Sequence, residues 1–256
     1  MPISLSQLIV SIFVGIASGY LGSFMILRRM ALVGDALSHV ALPGLALAIL
    51  YNINPFVGAF ATLFLGILVI WLIESKTELS TESLVGLFFT FSLAVGILIT
   101  PRADLLEALF GDISKISSLD TTLAVIFSVL IIVIMRLISN GLILTTISPD
   151  LAKASGRRNG LINFVFLLLV AAIVALGIKA VGTLLMGALV IIPAISSKNV
   201  TRNLSGYSFL SAVFGLFSLV GGVTLANYYH LSPGPIVVLV SSAIFILTLL
   251  LKREGN

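Results

Sequence analysis

Two ionisable residues, Asp35 and His39, stand four positions apart in an otherwise apolar stretch near the start of the chain. On an α-helix this spacing places both side chains on one face, about one turn apart. Ionisable side chains within an apolar span are costly unless they face the interior of a bundle and have partners. A carboxylate and an imidazole at this spacing suit Zn²⁺ or Mn²⁺ as half of a metal site. They also suit an internal ion pair or a hydrogen bond between packed helices, and the spacing alone leaves these alternatives open.

The same apolar stretch is interrupted by Pro43 and Gly44. Proline removes a backbone donor and kinks a helix. In membrane proteins such interruptions are typical of a substrate path, where the freed backbone groups can be satisfied, although they also occur as plain kinks.

The second histidine of the chain, His230, follows Tyr228 and Tyr229 at the end of another apolar segment. This arrangement is typical of the aromatic belt at a membrane interface, and an ordinary interfacial residue is the favoured interpretation. The alternative is that His230 helps to receive a cation together with acidic residues on the same side, namely Asp104, Glu107 or Asp112.

The composition is that of an integral membrane protein. Of the 256 residues, 59% are hydrophobic and 9% are charged, and the mean hydropathy is +1.23. Soluble domains carry about 25% charged residues, so most of this surface must face a lipid bilayer. The chain has no cysteine, which excludes disulfides and thiolate metal sites. The net charge is +4, but no dense basic patch with interleaved aromatic residues is present, so we predict no nucleic-acid partner.

Short polar breaks divide the chain into continuously apolar segments, which favours helices over the alternating strands of a barrel. We predict an all-α polytopic transmembrane bundle of about eight or nine spans, forming a single domain over residues 1–256. The segment 181–196 is short and interrupted by Pro193, which favours a broken or partly spanning helix and would leave eight full spans. The predicted spans are 5–27, 31–51, 55–73, 83–100, 119–138, 161–178, 181–196, 207–229 and 235–251.

The distribution of basic residues indicates the orientation of these spans. With nine spans and the N-terminus outside, eleven of the 14 Lys and Arg residues fall in inner segments and three in outer ones. Inner loops should be the positive ones. We expect Arg28 inside and Lys179 outside. Because Arg28 and Arg29 follow the first apolar run, that run is predicted to be a retained span, not a signal peptide.

Motifs for ATP or dinucleotide binding are missing from the sequence. No glycine immediately precedes a lysine, so there is no Walker A motif, and there is no Gly-x-Gly loop. Neither a Gly-x-Ser-x-Gly nor a His-Glu-x-x-His motif is present. We therefore predict a transport subunit that is not an enzyme, whose use of ATP would need a partner protein.

One inner loop, 148–156, reads as a short helix. Proline is favoured at the first position of a helix and glycine just after its end. A simple connecting turn is the alternative. A short helix on the cytoplasmic face of a transporter can also form the contact with the subunit that drives transport. The residues concerned are Pro149, Asp150, Leu151, Ala152, Lys153, Ala154, Ser155 and Gly156.

The segment from Arg28 to His39 resembles the signature of the zinc/manganese-type ABC transporter permeases. Other stretches resemble the same family in the same order along nearly the whole chain. They are Leu109 to Ile113, Ser148 to Gly156, Val181 to Leu185, Ile191 to Ala194 and Leu231 to Pro235. The first motif is specific, whereas the apolar stretches are individually weak.

The resemblance implies a bacterial plasma- or inner-membrane permease that imports zinc or manganese, with no permanently bound cofactor. It implies a homodimer, a cytoplasmic ATP-binding subunit and an extracytoplasmic metal-binding protein as partners. It carries Asp35 and His39 over as metal ligands in the translocation path, and 149–156 as the ATPase-coupling segment.

Three other functions remain as alternatives. A related permease for an iron chelate would need a wider path without direct metal ligands. A proton-coupled secondary transporter would use Asp35 as its proton carrier. A structural or assembly protein would have no use for an ionisable pair inside a span.

Overall fold

The computed structural model describes residues 4–100, 109–111, 116–147 and 159–251. Within these ranges the regular structure is helical and contains no strand. The helices are α1 (Leu5–Leu27), α2 (Ala31–Val40), α3 (Leu42–Leu50), α4 (Pro55–Glu74), α5 (Thr81–Ile99), α6 (Ser118–Ile147), α7 (Asn159–Val181), α8 (Met186–Val200), α9 (Leu204–Tyr229) and α10 (Pro233–Leu250).

Eight helical segments of the described chain are long and apolar enough to cross a membrane, with α2 and α3 counted as one segment, Ala31–Leu50. The predicted transmembrane helical bundle is therefore confirmed. α2 ends at Val40 and α3 starts at Leu42, with Pro43 in its first turn. The break that Pro43 and Gly44 predicted lies at this point.

The short predicted span 181–196 differs from the structure in its position. α8 has 15 residues, about 22 Å of helix, which is shorter than the roughly 30 Å of a bilayer core. The chain leaves α7 at Gly182, whose φ of +84° is readily adopted only by glycine. The predicted interruption at Pro193 is wrong, because Pro193 lies inside α8. Membrane helices tolerate an internal proline because neighbouring groups satisfy the freed carbonyl.

α6 is longer than the predicted span 119–138. The polar residues after Ile138 predicted the end of the span, but the hydroxyl groups of Ser139 and Thr145 bond to carbonyls of the same helix. Ser139 Oγ donates to the Arg136 carbonyl at 2.9 Å, and Thr145 Oγ1 donates to the Leu142 carbonyl at 2.8 Å. Such local bonds satisfy the side chains without ending the helix.

Helices α1 and α9 pack backbone against backbone. A Cβ added at Gly15 would stand 2.7 Å from the Gly215 carbonyl oxygen, and one added at Gly19 would stand 2.2 Å from that of Ser211. The Ser211 hydroxyl donates to the Gly19 carbonyl at 2.5 Å. The pair Gly15 and Gly19 therefore serves close backbone packing, as small residues four apart do in membrane helices.

Two polar clusters lie at opposite ends of the bundle. One joins Asn54, Asp120 and Lys179, at the start of α4, the start of α6 and the end of α7. The other joins Arg28 and Asn163, at the end of α1 and the start of α7. These positions agree with the predicted sides for Lys179 and Arg28.

Candidate functional site

α2 holds the predicted pair. A tight connection, with Arg29 at a φ of 60°, turns the chain from α1 into α2. Asp35 and His39 both lie within α2, one turn apart on the same face. The helix therefore brings the two predicted ligands together as the sequence spacing indicated.

The His39 side chain is almost completely buried, with 7% of its surface exposed. Its ring meets the ring of Phe89 edge to face, with centroids 5.1 Å apart. Within the described part of the chain, His39 Nδ1 is buried and has no hydrogen-bond partner. Buried polar atoms normally have partners. An unpartnered imidazole nitrogen is a group that a passing cation could satisfy.

Asp35 is half-buried and lies against the first turn of α8. A Cβ added at Gly187 would stand 2.7 Å from Asp35 Cβ and 2.8 Å from Asp35 Oδ1. Only a residue without a side chain fits there. Gly187 thus lets α8 approach α2 at the carboxylate and limits where that carboxylate can lie.

Ser38 ties this part of α2 to the break between α7 and α8. Its hydroxyl lies 2.6 Å from the Thr183 carbonyl oxygen and 2.6 Å from the carbonyl oxygen of Asp35. Interrupted helices expose backbone carbonyls, which coordinate cations in many transporters. The arrangement places an interrupted helix directly beside the Asp35 and His39 turn.

The described residues form no cluster of three or more His, Cys, Asp or Glu side chains around a common point. An ion bound at Asp35 and His39 would thus have two side-chain ligands from the described residues, whereas structural zinc sites use four. A site with so few protein ligands leaves positions for water and carbonyl oxygens. Such a site suits an ion that must leave again better than one that is stored.

The ABC 3 transport family model matches residues 2–252 of the chain. The chain belongs to this family. It is similar to the high-affinity zinc uptake system membrane protein ZnuB of Haemophilus influenzae, with 34% identity over 96% of each chain. It is similar to the manganese import system permease protein ScaB of Streptococcus gordonii, with 30% identity over 95% of this chain and 89% of the relative.

Two solved structures are also similar to this chain. PsaBC from Streptococcus pneumoniae, solved in complex with Fab, is 28% identical to this chain. It has a TM-score of 0.85 over 97% of this chain and 91% of its own. An inward-facing putative metal-chelate type ABC transporter has the same fold, with a TM-score of 0.79 at 17% identity over 96% of this chain and 85% of its own. The chain is a multi-pass permease subunit of an ABC transport system in the bacterial plasma membrane.

An ion pair that the sequence did not predict lies at the end of the bundle that the basic residues predict to face outward. Lys179 Nζ and Asp120 Oδ2 are 2.5 Å apart. Asp120 also accepts hydrogen bonds from Asn54 Nδ2 at 2.8 Å and from Ser117 Oγ at 2.7 Å. Asp120 stands at the start of predicted span 119–138, so a carboxylate within an apolar segment was the signal that could have revealed it.

Of the other predicted residues that the structure describes, His230 is not brought to the site. His230 is exposed at the end of α9, in a left-handed conformation with a φ of 57°. Tyr228 and Tyr229 are exposed beside it, as in an interfacial belt. The residues Pro149 to Gly156, together with Asp104, Glu107 and Asp112, lie outside the described residues.

Proposed function

We propose that this permease imports a divalent transition-metal ion, zinc or manganese, and that Asp35 and His39 are its ligands along the path. The observation that carries the proposal is the buried, unpartnered His39 Nδ1 on the same helical face as Asp35. Neutral imidazole and carboxylate suit both metals. Relatives at 30–34% identity are named for zinc or manganese, so the assay uses both ions.

The metal is cargo in this proposal, and no cofactor is bound permanently. The ion binds Asp35 and His39 while water or backbone carbonyls complete its shell. A second copy of the chain would add a second Asp35 and His39 pair, so we propose a homodimer with the path between the copies. Family membership favours this ATP-driven importer over the proton-coupled alternative. The unpartnered His39 Nδ1 on the same face as Asp35 favours it over a chelate path, which would need no direct metal ligands.

The partners follow from the same proposal. The sequence contains no Walker A motif, so a cytoplasmic ATP-binding subunit supplies ATP hydrolysis, and the chain has no ATPase site of its own. We propose Pro149 to Gly156 as the segment that contacts this subunit, within a single permease domain over residues 1–256. An extracytoplasmic metal-binding protein delivers the ion to the outer face.

The test is uptake of radioactive Zn²⁺ and Mn²⁺ by cells that carry the complete system and lack other importers. Asp35→Asn and His39→Asn should each lower uptake at least about tenfold, since losing even a residue that supports a ligand costs about that much. His230→Asn is the matched control and should leave uptake unchanged, because asparagine tolerates the left-handed conformation there. Wild-type uptake by both site variants would show that the pair is not part of the path.

A further inference from the structure

A polar cavity of about 360 Å³ lies at the inner end of the bundle, between the ends of α1, α4 and α6 and the start of α7. This volume is many times the roughly 30 Å³ that one water molecule occupies in the liquid. Its walls include one cation and one anion, Arg28 and Glu74, and two hydroxyl groups, those of Ser75 and Thr145. Trp71 adds an amphipathic ring of the kind found at membrane interfaces.

The Asn163 side chain bridges the two charged groups of this cavity. Asn163 Oδ1 accepts from Arg28 Nη1 at 2.7 Å, and Asn163 Nδ2 donates to Glu74 Oε2 at 3.3 Å. A guanidinium has five N–H groups and a carboxylate has about four acceptor positions. The Thr81 hydroxyl also donates to Glu74 Oε1 at 2.5 Å. Arg28 and Glu74 still keep free positions for a ligand that carries both signs of charge.

The surroundings of Arg28 strengthen its charge interactions. Its guanidinium lies 5.2 Å from the ring centroid of Phe166. Burial lowers the pKa of Arg28, and the nearby Glu74 carboxylate opposes that shift. Arginine stays charged in proteins. A charge partly withdrawn from water interacts more strongly with an anionic group than an exposed one does.

An apolar groove of about 280 Å³ adjoins the polar cavity at Arg28. The last turn of α6 borders both spaces, since Thr145 lines the cavity and Thr146 lines the groove. The apolar side chains of the groove are Phe24, Leu27, Leu142, Ile143, Ile147 and Leu204. A polar site with two opposite charges next to a hydrocarbon groove matches a lipid with a zwitterionic headgroup.

We propose that this cavity and groove form a binding site for phosphatidylethanolamine of the inner leaflet. Its phosphate binds Arg28, its ammonium group binds Glu74, and one acyl chain lies in the apolar groove. The primary ammonium donates hydrogen bonds to a carboxylate, which the trimethylated group of phosphatidylcholine cannot do. Phosphatidylglycerol offers no cation to Glu74. The proposal is independent of the metal ligands.

The experiment is native mass spectrometry of the full chain, released from nanodiscs that contain equal amounts of phosphatidylethanolamine, phosphatidylcholine and phosphatidylglycerol. The wild type should retain phosphatidylethanolamine in preference to the other two lipids. Glu74→Gln should lower that preference about tenfold or more, the effect of one charge-assisted hydrogen bond. Glu74→Asp, which keeps the charge, should retain most of it.

Matched controls come from neighbouring residues on the same side. Glu78 and Arg29 are exposed and lie outside the cavity lining. Glu78→Gln and Arg29→Gln should retain the wild-type preference, whereas Arg28→Gln should lose phospholipid binding. A size-exclusion profile confirms that each variant is folded. Equal retention of the three lipids by the wild type, no retained lipid, or equal effects of Glu74→Gln and Glu78→Gln would overturn the proposal.

Discussion

Removing the positive charge of the outer ion pair should destabilise this permease strongly. Lys179→Met would leave the Asp120 carboxylate, 8% exposed, without its counter-charge. Breaking a buried pair by removing one partner costs about 3–5 kcal/mol. The low end applies here, because the Lys179 side chain is 26% exposed. Asp120 also keeps its hydrogen bonds from Asn54 and Ser117. We therefore expect a loss of about 3 kcal/mol in the free energy of unfolding.

The assay is thermal unfolding of the purified chain in detergent. For a chain of about 150–250 residues, 1 kcal/mol corresponds to about 2–4 °C in Tm, so Lys179→Met should lower Tm by about 6–12 °C. Lys198→Met, at an exposed lysine, is the control and should change stability by less than about 0.5 kcal/mol. Neutralising both partners, in the double variant Asp120→Asn/Lys179→Met, should recover most of the loss, since no buried charge then lacks a partner.

Two results would refute this reasoning. In the first, Lys179→Met lowers Tm no more than Lys198→Met does, which would mean that the pair contributes no more than an exposed charge. In the second, the double variant is no more stable than Lys179→Met alone. The cost would then come from lost packing of the lysine stem, and not from an unpaired Asp120 carboxylate.

Two glycine-to-alanine substitutions test the close contacts of the bundle. Gly187→Ala should push the Asp35 carboxylate aside and lower metal uptake severalfold, whereas Gly86→Ala, with open space at its Cβ position, should leave uptake unchanged. Equal uptake by the two variants would contradict the role of Gly187. Gly215→Ala places a Cβ 2.2 Å from the Gly15 carbonyl oxygen and should cost about 1–3 kcal/mol of stability through overpacking. Gly221→Ala, whose nearest neighbour would be 3.5 Å away, should cost less than about 1 kcal/mol, and equal melting temperatures would argue against the α1–α9 contact.

Local signals in the sequence were sufficient for the pair on α2 and for the break that follows it. Asp35 and His39 are one turn apart on any helix, and Pro43 acts on its own backbone. The contact of Asp35 with Gly187 depends on how α2 and α8 pack, and no local pattern encodes a pairing across about 150 residues. The same holds for Asp120 and Lys179.

The short span 181–196 was predicted correctly as a partial span, but its break was placed at the wrong residue for a related reason. Proline was taken as the breaking residue, yet Pro193 is buried within α8, while Gly182 turns the chain. The backbone around Leu109 leaves no room for a side chain at Gly182. A Cβ there would stand 2.1 Å from the Leu109 carbonyl oxygen, and the Leu184 N–H donates to that same oxygen at 3.1 Å. The position of the break is therefore set by an outer segment about seventy residues earlier in the chain.

The Ser38 hydroxyl has one proton and two carbonyl acceptors within reach, on Asp35 and on Thr183. A hydroxyl donates one strong hydrogen bond at a time. The Ser38 hydroxyl can therefore donate either to the Thr183 carbonyl or to the Asp35 carbonyl of its own helix. If α2 and the segment after α7 separate, the Ser38 hydroxyl keeps the Asp35 carbonyl as its acceptor, so this buried donor is not left unsatisfied. The contact beside the proposed metal ligands, Asp35 and His39, can therefore open and close without leaving the Ser38 hydroxyl unpaired.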